Sequence, residues 1–427
     1  MIEASVRWLS ATDAVRQVRA GDLKPQEVVD AHLEAIDRFD SHIHAYIHVD
    51  RNARTSSGVT LAVKDQQPVA GMPYTYGTSS WRDRIASEDA VPVARSRSAG
   101  MAILGKTNLP ELAASIGTTN AIFPPTQNPW REGITPGGSS GGSGAAVAAG
   151  MASVALGGDT GGSIRIPASC CGVVGLRPTP DRIPSEEVDV PVLHSRGPMT
   201  RTVADARMLF SVMTATQPSA PSPKRRFVVG IAFAGADPAC QDACGRAAAA
   251  LESAGHEIEE ITWRPEPVTE GYAVVRRASM ASFPADLSTF GPAIRKLAEE
   301  GRGLTAMDYF HAFELATNAA NRAVAVPLQT RYDFLLTPTL GLLPMPIEKV
   351  PPFLGEEWAR YVQFVLPVTF ARSPAISIPA GQHDGLPVGV QLVGQFGQEY
   401  DLLDFAEQLE QMPGFGFQRP PEMEVTG

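Results

Sequence analysis

Two glycine-rich loops and one lysine hold the residue types from which this sequence could build a reaction. The stretch GGDTGGSIRIPAS places Ser163 at the end of a glycine run, and PGGSSGGSG places Ser139 in a second one. Serine is a weak nucleophile at neutral pH and needs a neighbour to take its proton. No histidine lies within 30 residues of Ser163, so the usual partner is not local. Lys64 is the penultimate residue of GVTLAVKD, Gly58 to Asp65, a short β-branched and apolar run that predicts a buried strand whose end delivers the lysine. A lysine delivered into a desolvated site is a candidate base, because burial disfavours its ammonium form.

Two other patterns compete. GMAILGKT, Gly100 to Thr107, satisfies the letter of a phosphate-binding P-loop. In a P-loop the residues between the glycines are loop whose N–H groups wrap a phosphate, whereas Met-Ala-Ile-Leu reads as strand. Gly137 to Gly141 fits the GxSxG elbow of an α/β-hydrolase, with Ser139 as nucleophile and His383 as a late histidine, which would make an esterase. That elbow needs a strand running into the turn, and ITPGG puts a proline and glycines there.

The third reading takes both loops and Lys64 together. PGGSSGGSGAAVAAG followed by GGDTGGSIRIPASCCGVVGLRPT resembles the amidase signature family. GVTLAVKD, VAGMPYTYGTSS, GKTNLPELA, TQNPW, RGPMTRTVADA, YDFLLTPT and PAISIPAGQHDGLPVGVQLVG match that family's pattern in order, covering most of Leu9 to Glu410. The resemblance implies an amide hydrolase with Ser163 as nucleophile, Ser139 as a bridging serine beside a cis peptide bond, and Lys64 as base. It implies an oxyanion hole of N–H groups from Thr160, Gly161, Gly162 and Ser163, with Asp159 and Arg165 as the structural brace of that loop. A small carboxamide would be cleaved through a seryl acyl-enzyme to a carboxylate plus ammonia or an amine, with no metal or organic cofactor. The rival within the resemblance is the glutaminase component of a tRNA-dependent amidotransferase, which requires a partner protein.

The sequence also departs from the family's pattern. Gly158 stands where Ser or Thr is usual, Pro124 where Gly is usual, and LRPTPDR replaces the common LKPTxGR. Arg372, in LPVTFARSPAISIP, falls on a usual glycine. A guanidinium there could clamp a substrate carboxylate and favour a small acidic amide; an ordinary surface arginine is the other reading. The stretch from Asp205 to Arg331, where family members set substrate choice, is short and implies an open or compact pocket.

The elements that must position these groups interleave along 427 residues, which predicts an α/β fold: a single α/β/α sandwich around a large mixed β-sheet. Residues 1–57 supply N-terminal helices, 58–206 the catalytic core, 207–331 a substrate-side segment, and 332–427 C-terminal strands and a helix. Ser10 or Thr12 caps the first helix, and GDLKP breaks it from the second. AAVAAGMASVALGG reads as one helix in a tight core, and VVGIAF, YDFLLTP, PAISIPAG and LPVGVQLVG as strands.

A net charge of −10 argues against a non-specific grip on nucleic acid or on a membrane surface, leaving a small-molecule amide as the partner, with a homodimer as the candidate assembly. No basic-then-apolar leader opens MIEASVRWLSATDA and no 18-residue uncharged apolar run occurs, so a cytoplasmic location is expected. Cys170, Cys171, Cys240 and Cys244 read as reduced thiols, and His42, His44 and His48 as a strand or loop with one wetted face, not a metal site.

Overall fold

The computed structural model describes residues 6–185, 190, 192–217, 226–264, 266–283 and 286–421. Its centre is one mixed sheet of 11 strands: β1 (Tyr46–Val49), β2 (Thr60–Lys64), β3 (Ala102–Thr107), β4 (Val154–Asp159), β5 (Val174–Arg177), β6 (Ser195–Thr200), β7 (Val228–Ile231), β8 (Glu257–Glu260), β9 (Phe334–Pro338), β10 (Ala375–His383) and β11 (Leu386–Val393). They lie in the order β1-β3-β2-β4-β6-β5-β10-β11-β9-β7-β8. Helices cover the sheet, so the α/β sandwich with a large mixed sheet expected from the sequence is what forms.

The neighbours of β2 decide where the chemistry goes. β2 runs parallel to both β3 and β4, with Val63 opposite Leu156 in register. Parallel neighbours end on the same edge of a sheet, so Lys64 at the end of β2 and the Gly158-Asp159 end of β4 emerge side by side. The loop after β4, which carries Ser163, therefore opens beside Lys64. The binding crevice of α/β sheets sits at such carboxyl ends.

The Ala-rich run behaves differently from its reading as one helix. It is a helix from Gly141 to Ala148 and then, past a turn at Gly150, the strand β4. Ala149-Gly150 ends the helix, and Val154 to Leu156, fully buried, satisfy their backbone in the sheet. Small side chains are required: a Cβ on Gly142 would lie 2.6 Å from Asn108 N and 2.5 Å from the Ala45 carbonyl oxygen.

The N-terminal helices form as read. Ser10 caps Ala11–Ala20 by accepting from Asp13 N, Gly21 ends it at φ 81°, and Pro25 opens Pro25–Ile43. Thr12 instead donates its hydroxyl to Asp205. The segment 1–57 also contributes β1, which falls within the histidine run: His42 is in the helix, His44 caps it at φ 55°, and His48 is on the strand. Gly100–Thr107 is no phosphate loop, because Ala102 to Thr107 form the buried strand β3 and Lys106 is spent on Asp65 Oδ1 (2.9 Å) and the Pro73 carbonyl (2.7 Å). All four cysteines are buried free thiols. No described helix is long and apolar enough to cross a membrane.

His32 ties the second helix to β2 through Thr60 Oγ1 at 3.1 Å, and to the chain before the first helix through the Arg7 carbonyl at 3.2 Å. Burial, reinforced by the Arg201 cation, pushes its imidazole from the ordinary 6.5 down to about 3. The folded chain thus binds this proton less readily than the unfolded one, so the contribution is complete above pH 6.5 and is lost as pH falls from there toward 3. Urea unfolding of the wild type should therefore weaken more steeply across that window than unfolding of His32→Gln. Parallel slopes for the two proteins would show that His32 is not the group titrating.

Candidate active site

Lys64 and Ser139 meet inside the molecule. The Lys64 side chain is fully buried, and its Nζ donates to Ser139 Oγ at 2.7 Å and to the Gly158 carbonyl at 3.4 Å. Ser139 follows the cis peptide bond Gly138-Ser139, which locates the isomer that the sequence leaves open. Ser140, next in the chain, stitches the two glycine loops together. Its N–H donates to the Ser163 carbonyl at 3.1 Å, and its Oγ lies 3.3 Å from both the N and the O of Gly158. Lys64, Ser139 and Ser163 are thus gathered from β2, the entry to the helix Gly141–Ala148, and the loop after β4. Ser163 is only half-buried, which leaves its face of the cluster open.

The loop itself is held from below by Asp159. Its carboxylate takes the Arg165 guanidinium in two bonds, Nε to Oδ2 at 2.9 Å and Nη2 to Oδ1 at 3.0 Å, and Arg177 Nη1 at 3.3 Å. Burial alone would raise this carboxyl; the cations of Arg165 and Arg177 overcome it and hold Asp159 well below the usual carboxylate range. Arg165 reaches further, to Gln391 Oε1 on β11 at 2.7 Å, the Val365 carbonyl at 3.0 Å and Thr369 Oγ1 at 2.9 Å. All three charged groups are excluded from solvent. Asp159 and Arg165 have the geometry of a brace, and Arg177 is a member of it that the sequence did not single out, although it sits in the quoted LRPT.

Asp159 also changes the expected oxyanion hole. Gly162 N–H donates to Asp159 Oδ1 at 2.8 Å, so this one proton is already used and Gly162 drops out as a donor. Among the described residues no partner takes the N–H of Gly161 or of Ser163. Gly162 serves the loop through its shape: its φ is 104°, and a Cβ there would lie 2.6 Å from Val365 Cγ2. Thr160 is engaged through its hydroxyl, 2.7 Å from His194 Nδ1.

Three neighbours carried no local signal and were missed. Gln66, His194 and Tyr272 come from separate parts of the chain and close around the loop. A Cβ on Gly158 would lie 2.7 Å from Gln66 Oε1 and 3.0 Å from His194 Cε1, and one on Gly161 would lie 2.5 Å from the Tyr272 hydroxyl. This accounts for glycine at 158, where the resemblance leads to a hydroxyl residue: the space is taken by Gln66 and His194.

Two expected partners lie elsewhere. His383 ends β10 on an exposed turn, 3.7 Å from Asp384, while Ser139 is bonded to Lys64, so the elbow-type Ser139–His383 pairing does not form. Arg372 is exposed, with its guanidinium 5.6 Å from the Phe396 ring centroid, and none of the residues lining its groove belongs to the Lys64–Ser139–Ser163 cluster. Arg372 thus lies apart from that cluster, and the carboxylate clamp expected beside it does not form.

Removing one partner from a buried ion cluster leaves charge uncompensated, at a typical loss of about 3–5 kcal/mol. Asp159→Asn, which keeps the shape and deletes the charge, should lower the unfolding free energy by roughly that amount in a denaturant titration. A loss below about 1 kcal/mol would mean that Arg165 and Arg177 are satisfied without Asp159.

Comparison with known proteins identifies the family. The amidase family profile matches residues 27–403. The chain is 31% identical to an acylamidase of Rhodococcus erythropolis over 100% of both sequences. It is also 31% identical to a component of the glutamyl-tRNA(Gln) amidotransferase of Synechococcus sp. (strain CC9311), over 95% of this chain and 97% of that one. The solved structure of 6-aminohexanoate cyclic dimer hydrolase superposes with a TM-score of 0.85 at 27% identity, covering 95% of this chain and 96% of that one. The chain belongs to the amidase signature family and is an amide hydrolase by that membership.

Proposed function

We propose that the protein cleaves a small carboxamide through an acyl-enzyme on Ser163, with Ser139 as proton relay and Lys64 as base. The observation that carries the reading is the buried 2.7 Å contact between Lys64 Nζ and Ser139 Oγ. Burial weights Lys64 toward its neutral amine. In that form the contact can run in reverse, with the Ser139 hydroxyl donating to the nitrogen lone pair. Ser139 then accepts the proton of Ser163 as Ser163 Oγ bonds to the amide carbon.

The carbonyl π pair moves onto oxygen as that bond forms. The free N–H groups of Gly161 and Ser163 are the donors for the resulting oxyanion, and a pre-set donor of this kind is worth about 3 kcal/mol in the transition state. When the tetrahedral intermediate collapses, the C–N bond breaks and the proton held by Lys64 returns through Ser139 to the leaving nitrogen. Water then adds to the acyl-Ser163 ester by the same route, releasing the carboxylate and restoring the serine. The Asp159–Arg165–Arg177 cluster keeps the donors aimed without taking a proton itself.

A second reading follows from the relatives named as components of glutamyl-tRNA(Gln) amidotransferases: glutamine as the amide, with ammonia passed to a partner. Turnover of simple amides by the chain alone, without a preference for glutamine, favours the hydrolase; glutamine hydrolysis that appears only with an added partner favours the amidotransferase component.

A serine-directed fluorophosphonate, with the adduct mapped by peptide mass spectrometry, tests the nucleophile without knowledge of the substrate. The adduct is expected on Ser163, and Lys64→Ala should slow its formation by about 10²–10⁴-fold, the usual worth of general base catalysis. An adduct on Ser139, or a rate indifferent to Lys64→Ala, would remove this mechanism.

A further inference from the structure

Just past the helix Val365–Phe370 the chain turns through Arg372 at φ 56°. Glycine adopts this left-handed region without penalty and an arginine does not, so Arg372 sits there against its backbone preference. The guanidinium lies over the ring of Phe396, which is 58% exposed. No carboxylate pairs with Arg372 among the described residues.

Arg372 and Phe396 line a groove of about 360 Å³ together with Asn321, Val326, Gln329 and Gln395. None of the lining residues is acidic, in a chain whose net charge is −10. Asn321 and Ala325 of that lining belong to a π-helical turn, Asn321–Ala325, a backbone irregularity that recurs at functional sites. An unpaired cation held on an aromatic ring, side-chain amides and exposed apolar surface therefore share one concavity.

We propose that this groove is a binding site for a small monocarboxylate with an aromatic or apolar body. The carboxylate takes two parallel N–H bonds from Arg372, which the Phe396 ring holds in place by cation–π contact. Asn321 and Gln329 supply further amide donors, and the apolar body rests on Phe396 and Val326. The volume falls within the range of small-ligand pockets. Carboxylates are also what amide hydrolysis releases; identifying the ligand with the product rests on the reading above, whereas the binding site itself does not.

The photoreactive acid 4-benzoylbenzoate, irradiated with the full chain and mapped by peptide mass spectrometry, tests the site. Crosslinks are expected on the peptides carrying residues 321–329 and 395–396, saturable with probe and competed by benzoate. Arg372→Gly should reduce them roughly tenfold or more while its Tm equals or exceeds that of the wild type, since glycine relieves the turn. Undiminished crosslinking in Arg372→Gly, equal crosslinking by the neutral 4-benzoylbenzyl alcohol, or crosslinks confined to the peptide bearing Ser163 would each overturn the proposal. These readouts do not depend on Ser163 being a nucleophile, so failure here is separable from failure of the acyl-enzyme reading.

Discussion

The arrangement depends on one buried carboxylate. Asp159 sits at the end of β4 between Arg165 and Arg177, and the same two oxygens also take the N–H of Gly162 and of Ile164 (3.3 Å). Desolvating three charged groups costs several kcal/mol each, so such a cluster persists only when nearly every donor is met. Here that condition ties distant parts of the chain together. Arg165 cannot be satisfied without Gln391 on β11 and the helix Val365–Phe370, and Arg177 draws on the carbonyls of Asp159 (2.7 Å) and Leu193 (2.8 Å). The loop that carries Ser163 is consequently fixed by contacts reaching more than 200 residues along the chain.

The same economy of donors explains which glycines matter and how. Gly162 is needed for its backbone angle, and its N–H belongs to the brace. Gly161 is needed because Tyr272 occupies the space a side chain would fill, and its N–H has no partner among the described residues. Gly158 yields room to Gln66 and His194 while its carbonyl faces Lys64. Three glycines in one motif therefore do three separate things, each set by a neighbour from another part of the fold.

The burial of Lys64 follows from the sheet. A side chain at the end of a parallel strand flanked on both sides is fully enclosed, as Lys64 is between β3 and β4. Neighbouring Lys106 shows the contrast: equally buried, it is paired with the Asp65 carboxylate, which stabilises its charge. Lys64 faces a hydroxyl and a carbonyl. Adjacent strands thus bury two lysines in different settings, Lys106 against a carboxylate and Lys64 against the Ser139 hydroxyl.

Much of this was legible in the residues. Lys64 stood at a strand end because TLAVK is short, apolar and β-branched; the glycine-serine loops and the order of the surrounding motifs carried the family resemblance; and the helix caps at Ser10 and Pro25 are local effects of their own side chains. Local pattern failed where identity depends on what lies opposite. AAVAAGMASVALGG divides into helix and strand because β2 and β6 supply ladder partners for its second half, which periodicity cannot see. The commitment of Gly162 N–H to Asp159, the part played by Arg177, and the closure by Tyr272 all require three-dimensional proximity. So does the displacement of Arg372 to its own groove. A sequence specifies residue types and local turns, which are short-range; which donor meets which acceptor is decided by packing across the sheet, because a buried polar group accepts whatever partner the fold brings within about 3 Å.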